Sequence, residues 1–166
     1  NNKSTYDKLL KKEIEKNKYS ARDINFIQSV VLSSLRHNIQ IKKIITKYAD
    51  KKINEDTYIL LLSAITQLVF LNFKDYAVVN SSVELSKKNK IKTYSGFING
   101  ILKNIIKEKE SLKKTKIRLK DLPKWFVNKI TKKNLNNISS IINSITEKPD
   151  LHLVFKNEIF LKNFLK

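Results

Sequence analysis

From Tyr6 to Ile14 the apolar side chains Tyr6, Leu9, Leu10 and Ile14 recur at helical spacing and line one face of a short helix. Ser20 followed by Asp23 forms a capping-box pattern that opens a second helix, whose stripe Phe26, Ile27, Val30, Val31, Ser34, Leu35 continues toward Arg36. The stripe Ile41, Ile44, Ile45, Tyr48 predicts a separate or kinked helix. Asn54 is placed to cap the next one, from Asp56 to about Leu71, where TYILLLSAITQLVFL is apolar on most faces. A helix of that kind belongs at the centre of a bundle.

Asp75 stands where an N-cap is expected before Ala77, Val78, Val79, Val83 and Leu85, and Lys87 and Lys88 suit the last turn of that helix through its dipole. Residues Lys92 to Ile106 form the next helix, with Phe97, Ile101, Leu102 and Ile105 inward. It holds both glycines of the chain, Gly96 and Gly100, four residues apart and so on one side. Glycine inside a helix costs about 1 kcal/mol relative to alanine, so the pair predicts close approach of a neighbouring backbone, with a ligand as the alternative. Residues Lys107 to Asp121 read as a charged connector. Pro123 begins a helix carrying Trp125, Phe126 and Ile130, and Leu135 to Ile145 is another amphipathic helix. After Pro149 the alternation in LHLVFK predicts the start of a strand. The expected fold is all-α, an antiparallel helical bundle followed by a short helical linker region and the start of a truncated second domain.

A length of 166 residues allows one ordinary domain, or one small domain and part of another. No apolar run approaches the roughly 18 residues of a membrane span, and the polar N-terminal residues are no signal peptide, so a soluble, cytoplasmic protein is expected. Cysteine is absent, which excludes disulfides and thiolate metal sites. His37 and His152 have no evident partners, so no metal and no catalytic role is assigned to them. The absence of methionine suggests a fragment.

Charge changes the picture most. The net charge is +19, and it is uneven: residues 1–102 hold 18 basic and 9 acidic side chains, residues 103–133 hold 12 and 3, and residues 134–166 hold 4 and 3. A polyanion is the natural partner, bound in a manner that weakens steeply with salt. The competing explanation is a solvated lysine-rich surface.

Several blocks carry a family resemblance. Ala21-Arg22-Asp23, Phe26 and Leu35-Arg36 are followed by Gln67-Leu68-Val69-Phe70-Leu71, Asp75-Tyr76-Ala77-Val78-Val79-Asn80, Val83-Glu84-Leu85 and Gly96-Phe97-Ile98-Asn99-Gly100-Ile101-Leu102. Together they resemble the NusB-like RNA-binding domain of RsmB-type 16S rRNA cytosine-C5 methyltransferases. Leu122-Pro123-Lys124-Trp125-Phe126 resembles the LPxW start of the region joining that domain to the catalytic one. The resemblance divides the chain into a NusB-like bundle at 1–108, a basic linker at 109–121, a helical connector at 122–148 and the start of a truncated α/β region at 149–166. It implies small-subunit ribosomal RNA as partner and S-adenosylmethionine as the cofactor of a catalytic domain missing here. It also implies a further helix before Asn1, whose absence would leave an apolar groove. The free-standing antitermination factor NusB, acting with a leader RNA and a ribosomal protein, is the rival. Gln67, Lys103 and the chain beyond the bundle favour the methyltransferase. Ser81, Lys74 and Lys103-Asn104 depart from the family's usual residues.

Cytosine C5 methylation requires a cysteine thiolate to add to C6 of the ring. With no cysteine and no glycine-rich strand-to-helix turn, these residues are expected to supply RNA binding, not catalysis. Lys87, Lys88, Lys90 and Lys92 surround one interhelical turn and, with Lys103 and Lys107, form the candidate phosphate-binding patch; a solvated face is the alternative. Arg22 is a second candidate, or merely a neighbour of the capping box. Arg36 either contacts RNA or pairs with a carboxylate such as Glu84. Asn80 and Asn99 are expected to hydrogen-bond one helix to the next. Tyr94 and Phe97 could stack on bases, although spacing places Phe97 in the core.

Overall fold

The computed structural model describes residues 5–49, 53–88, 91–133, 137–147, 154, 156–158, 162 and 164. Among them the regular elements are helices: α1 (Tyr6–Lys16), α2 (Ala21–Arg36), α3 (Asn38–Tyr48), α4 (Glu55–Ile65), α5 (Asp75–Lys88), α6 (Ser95–Lys107), α7 (Lys109–Lys113), α8 (Lys124–Lys133) and α9 (Ile138–Ser144). The expected strand at LHLVFK falls almost entirely outside the described residues.

Local chemistry sets the helix starts. The Ser20 hydroxyl accepts from the Asp23 amide, and the Asp23 carboxylate accepts in return from the Ser20 amide, so two otherwise orphaned donors are satisfied together. Asn54 Oδ1 accepts from the Thr57 amide at 2.8 Å and opens α4. The amides of Ala77 and Val78 both donate to the Lys74 carbonyl. Asp75 is therefore the first residue of α5, one place inside the expected cap, where its charge still meets the positive end of the helix.

Helix α4 is the centre of the bundle, packed against α2, α3, α5 and α6. Leu61 and Ile65 are fully buried, and the core extends through Ile41 and Ile44 of α3, Val78 of α5 and Ile98, Leu102 and Ile105 of α6. Each such side chain contributes about 2 kcal/mol through the apolar surface it withdraws from water. The α4 helix ends earlier than its apolar pattern suggests. From Thr66 to Phe70 the backbone widens into a π turn, and Asn72 stops it in the left-handed region at φ 53°.

Three inward assignments differ. Phe97 is 39% exposed while Ile98, one residue on, is fully buried. On α2 it is Val30, Ser33 and Ser34 that are buried, whereas Phe26 and Leu35 are exposed. The helix is apolar around much of its circumference, so the stripe alone does not select its buried face.

The segment after α6 is fastened to the bundle instead of hanging free. Leu112 of α7 is 5% exposed and belongs to the main core. Helix α3 holds the rest: Gln40 Nε2 donates to the Thr115 carbonyl at 2.7 Å, Lys43 donates to the Lys116 carbonyl at 3.0 Å and pairs with Asp121, and Lys47 pairs with Glu108 at 2.5 Å. Lys109 meets Asp75 at 3.2 Å. Leu122, Ile130 and Ile142 are buried outside that core, so α8 and α9 build their own apolar contacts.

Candidate nucleic-acid interface

Helices α5 and α6 pack side by side and leave a groove of about 460 Å³ between them, lined by Val79, Asn80, Val83, Glu84, Lys87, Asn99 and Lys103. Its floor is apolar and its rim polar. Lys87 and Lys103, one from each helix, are the two candidate cations that share it. Lys87 is not free: its ammonium donates to Glu84 at 2.8 Å, and that bond holds the Glu84 carboxyl below its usual range. Being exposed and screened, the pair adds little stability and can be exchanged for a stronger anion.

The other candidates are dispersed. Lys88 is exposed at the end of α5, Lys92 is exposed in the 3₁₀ turn Lys92–Tyr94, and Lys107 is exposed at the end of α6. Lys90 lies outside the described residues. Arg22 is exposed beside the capping box; the Ser20 hydroxyl and amide, and to a smaller extent the Arg22 charge, hold the Asp23 carboxyl below its usual range. Arg36 is half-buried at the end of α2, and the carboxylate suggested for it, Glu84, is paired with Lys87 instead.

Among the described residues no hydrogen bond from Asn80 or Asn99 joins α5 to α6. Both line the groove, and Asn80 is exposed there, so their amides face the space a ligand would fill. The glycines do not mark a close approach either. A Cβ added to Gly96 or Gly100 would meet nothing within 4 Å, and both residues are exposed. They leave the outer surface of α6 bare. Beside it Tyr94 and Phe97 form an edge-to-face pair, centroids 6.4 Å apart, at 38% and 39% exposure. Two exposed rings offer a surface on which unpaired bases can stack.

Sequence reasoning missed the role of α3. Asn38, Ile39, Lys42, Lys43, Thr46 and Lys47 line a second groove of about 640 Å³, closed on its far side by Asp121 and Pro123. The grouping of Lys42, Lys43 and Lys47 on one helix was visible, but their acidic partners are 61 and 78 residues away in sequence. His37 also has partners: its ring stacks on Phe70 with centroids 4.0 Å apart, and Nδ1 lies 2.8 Å from Gln40 Oε1. Among the described residues no group of three or more His, Cys, Asp or Glu side chains is placed to hold a metal, and no helix is long and apolar enough to cross a membrane.

The bundle and its α5–α6 blocks define a helical family, and the comparisons identify it. The chain belongs to the NusB family, which residues 1–107 match. It is 27% identical over 137 residues to ribosomal RNA small subunit methyltransferase B of Pasteurella multocida (strain Pm70), a match covering 80% of this chain and 30% of that protein. It is 36% identical over 89 residues to transcription antitermination protein NusB of Thermodesulfovibrio yellowstonii, covering 51% of this chain and 59% of the relative. Against the NusB protein of Elusimicrobium minutum it is 30% identical over 106 residues, 60% of this chain and 76% of the relative. The chain thus spans less than a third of the methyltransferase and about three fifths of the Thermodesulfovibrio protein.

Proposed function

We propose that this chain is the RNA-binding portion of a small-subunit ribosomal RNA methyltransferase, working in the cytoplasm on a cytosine of 16S rRNA. One observation carries the choice. The similarity to methyltransferase B covers 80% of the chain and so runs past residues 1–107, whereas the similarities to the antitermination proteins cover 51% and 60%. Leu122 to Phe126, at the start of α8, resemble the opening of the region that joins such a domain to a catalytic one, which a free-standing factor does not need.

The chain's own residues do not fit the methyl-transfer chemistry. No cysteine is present to attack C6, and both glycines lie on the exposed side of α6 instead of in a turn that could cradle S-adenosylmethionine. The cofactor and nucleophile therefore belong to another part of the parent protein, and this portion holds the RNA. Lys87, Lys88, Lys92, Lys103 and Lys107 attract phosphates, the Asn80 and Asn99 amides offer donors and acceptors to base edges, and Tyr94 with Phe97 offers a stacking surface.

The shared bundle favours one other reading, a transcription antitermination factor whose partners are a leader RNA and a ribosomal protein. Titrating a 16S rRNA fragment and an antiterminator leader RNA against the chain, each over a range of salt, separates the two. Preference for the rRNA fragment with a steep salt slope is expected. Preference for the leader RNA favours the factor, and absence of any binding at low salt overturns both.

A further inference from the structure

Residues 114–121 alternate along their length. Thr115, Ile117, Leu119 and Asp121 are turned toward the bundle, and Lys116, Arg118 and Lys120 are exposed between them. The inward row is fixed by contacts already described: the Thr115 carbonyl to Gln40 and the Asp121 carboxylate to Lys43. Asp121 also accepts from the Arg118 amide at 2.7 Å, which leaves the Arg118 guanidinium outside the turn. The segment is thus a short ribbon, extended over residues 115–118 and closed by the 3₁₀ turn Leu119–Asp121, that is tied to α3 at Thr115, Lys116 and Asp121 and carries three exposed cations.

Two of the three acids near this row are bound by lysines of α3. Between Lys107 and Lys124 the acidic residues are Glu108, Glu110 and Asp121. Glu108 is bound to Lys47 and Asp121 to Lys43. Lys113, Lys114, Lys116, Arg118, Lys120 and Lys124 all stand exposed, and the described residues show no ion pair to any of them. Residues 115–118 are extended, so Lys116 and Arg118 stand about 6.6 Å apart along the chain, and Lys120 follows in the 3₁₀ turn Leu119–Asp121; the three are separate point charges and not a single pocket. Beside it lies the α3 groove, whose Ile39 and Pro123 are apolar and whose Lys42 adds one more exposed cation.

We infer that Lys116, Arg118 and Lys120, with Lys42 at the neighbouring groove, form a second RNA-binding surface that grips the phosphate backbone of a single strand. A spaced row of cations fits a chain of evenly repeated monoanions, and lysine and arginine contacts to phosphates position a strand without reading its sequence. The surface is separate from the α5–α6 groove and takes part in binding whichever RNA that groove selects; it rests on RNA being the partner. Because Gln40 and Lys43 anchor the ribbon, it is held ready instead of being ordered by the ligand. A strand that engages both surfaces gains affinity by linkage.

The test uses the whole chain, a short fluorescein-labelled single-stranded RNA of mixed sequence, and fluorescence anisotropy over a salt series. Replacing the row, Lys116→Glu with Arg118→Glu and Lys120→Glu, should weaken binding at least about tenfold at low salt. It should also flatten the log–log salt slope by about 2, as expected for three lost contacts to a single strand. The charge-keeping pair Lys116→Arg with Lys120→Arg should bind like the unaltered chain. Circular dichroism should be the same for all three, since these side chains are exposed. With the unaltered chain, photocross-linking to thiouridine-substituted RNA should mark residues 113–124. The surface is overturned, with RNA binding itself intact, if the row variant binds normally while Lys87→Glu with Lys103→Glu does not. Absence of binding by the unaltered chain at low salt overturns the RNA partner altogether. Polyglutamate binding as tightly as RNA at equal ionic strength would assign the surface to an acidic protein instead.

Discussion

The hydroxyls of Ser34 and Thr66 lie 2.9 Å apart inside the bundle, where both residues are buried. Thr66 Oγ1 also donates to the Leu62 carbonyl at 2.7 Å, which uses its one hydrogen. Ser34 must therefore be the donor between the two, tying α2 to the π turn. Replacing Thr66 by Val strands a buried Ser34 hydroxyl and should cost about 1–3 kcal/mol. Replacing Ser34 by Ala leaves Thr66 bonded to Leu62 and should cost less, about 1 kcal/mol. The double variant should lose less than the sum in urea denaturation. Equal losses for the single variants would contradict the donor assignment.

The bare outer surface of α6 makes an opposite prediction to the usual one for glycines at i and i+4. Nothing lies within 4 Å of a Cβ at Gly100, and its φ is not positive. Gly100→Ala should therefore stabilise the bundle by about 1 kcal/mol, the difference in helix propensity. That gain raises Tm by about 3 °C in a chain of this size. Gly96 is the second residue of α6, so Gly96→Ala should gain less. A lowered Tm for Gly100→Ala would show that something does approach this face. A raised Tm with weakened RNA affinity would place the ligand against it.

The helical framework was legible because its signals are local. Ser20 and Asp23, or Asn54 and Thr57, are three residues apart, and the capping bonds form as their spacing requires. The stripes Ile41, Ile44, Ile45 and Ile101, Leu102, Ile105 are buried as expected. What stayed hidden depends on which helix lies opposite. A stripe containing both Phe97 and Ile98 does not say which faces α4, and the inward-facing Ser34 of α2 finds its partner in Thr66, 32 residues away. The candidate site divides in the same way. The candidates Lys87 and Lys103 share a groove, whereas no backbone closes on the glycines and Glu84, one carboxylate suggested for Arg36, is paired with Lys87. The alternation of Thr115, Ile117, Leu119 and Asp121 with three cations was present in the sequence. Its high charge disguised it as a free connector.

The contacts between α3 and the chain after α6 set a pH window for its attachment. The Lys47 ammonium holds Glu108 below its usual carboxylate range. Burial pushes Asp121 up, but the bonds from Lys43 and the Arg118 amide, with the charges of Lys43 and Lys120, outweigh it and hold this carboxyl low as well. Groups with lowered pKa stabilise the fold above their unfolded values, near 3.8 for Asp121 and 4.5 for Glu108, and that support is lost as pH falls through the folded values. Lys47 is raised above its ordinary 10.5 by Glu108, so its share is present below that pH and disappears above it. The chain after α6 should stay attached between about pH 5 and 10. At neutral pH, Asp121→Asn should speed amide exchange across residues 115–121 and tryptic cleavage after Lys116 and Arg118, with helicity unchanged. Unchanged cleavage would mean that the Lys43 pair does not hold the ribbon.

His37 should make the bundle acid-sensitive at a milder pH. Gln40 Nε2 donates to the Thr115 carbonyl, so Gln40 Oε1 is an acceptor and His37 Nδ1 carries the proton between them. Burial against Phe70 pushes the imidazole below its ordinary 6.5; the Gln40 bond pulls it upward, and the Arg36 charge lowers it further. A base with a lowered pKa stabilises the fold while neutral. That contribution is complete above 6.5 and is lost as pH falls through 6.5 toward the folded value. Tm should therefore drop between about pH 7 and 5, and the drop should be smaller in His37→Phe, which keeps the stack on Phe70 without a titrating group. The His37 ring resonances should titrate below 6.5 in the folded chain. A midpoint at or above that value, or parallel Tm profiles for the two proteins, would remove the imidazole from the acid response.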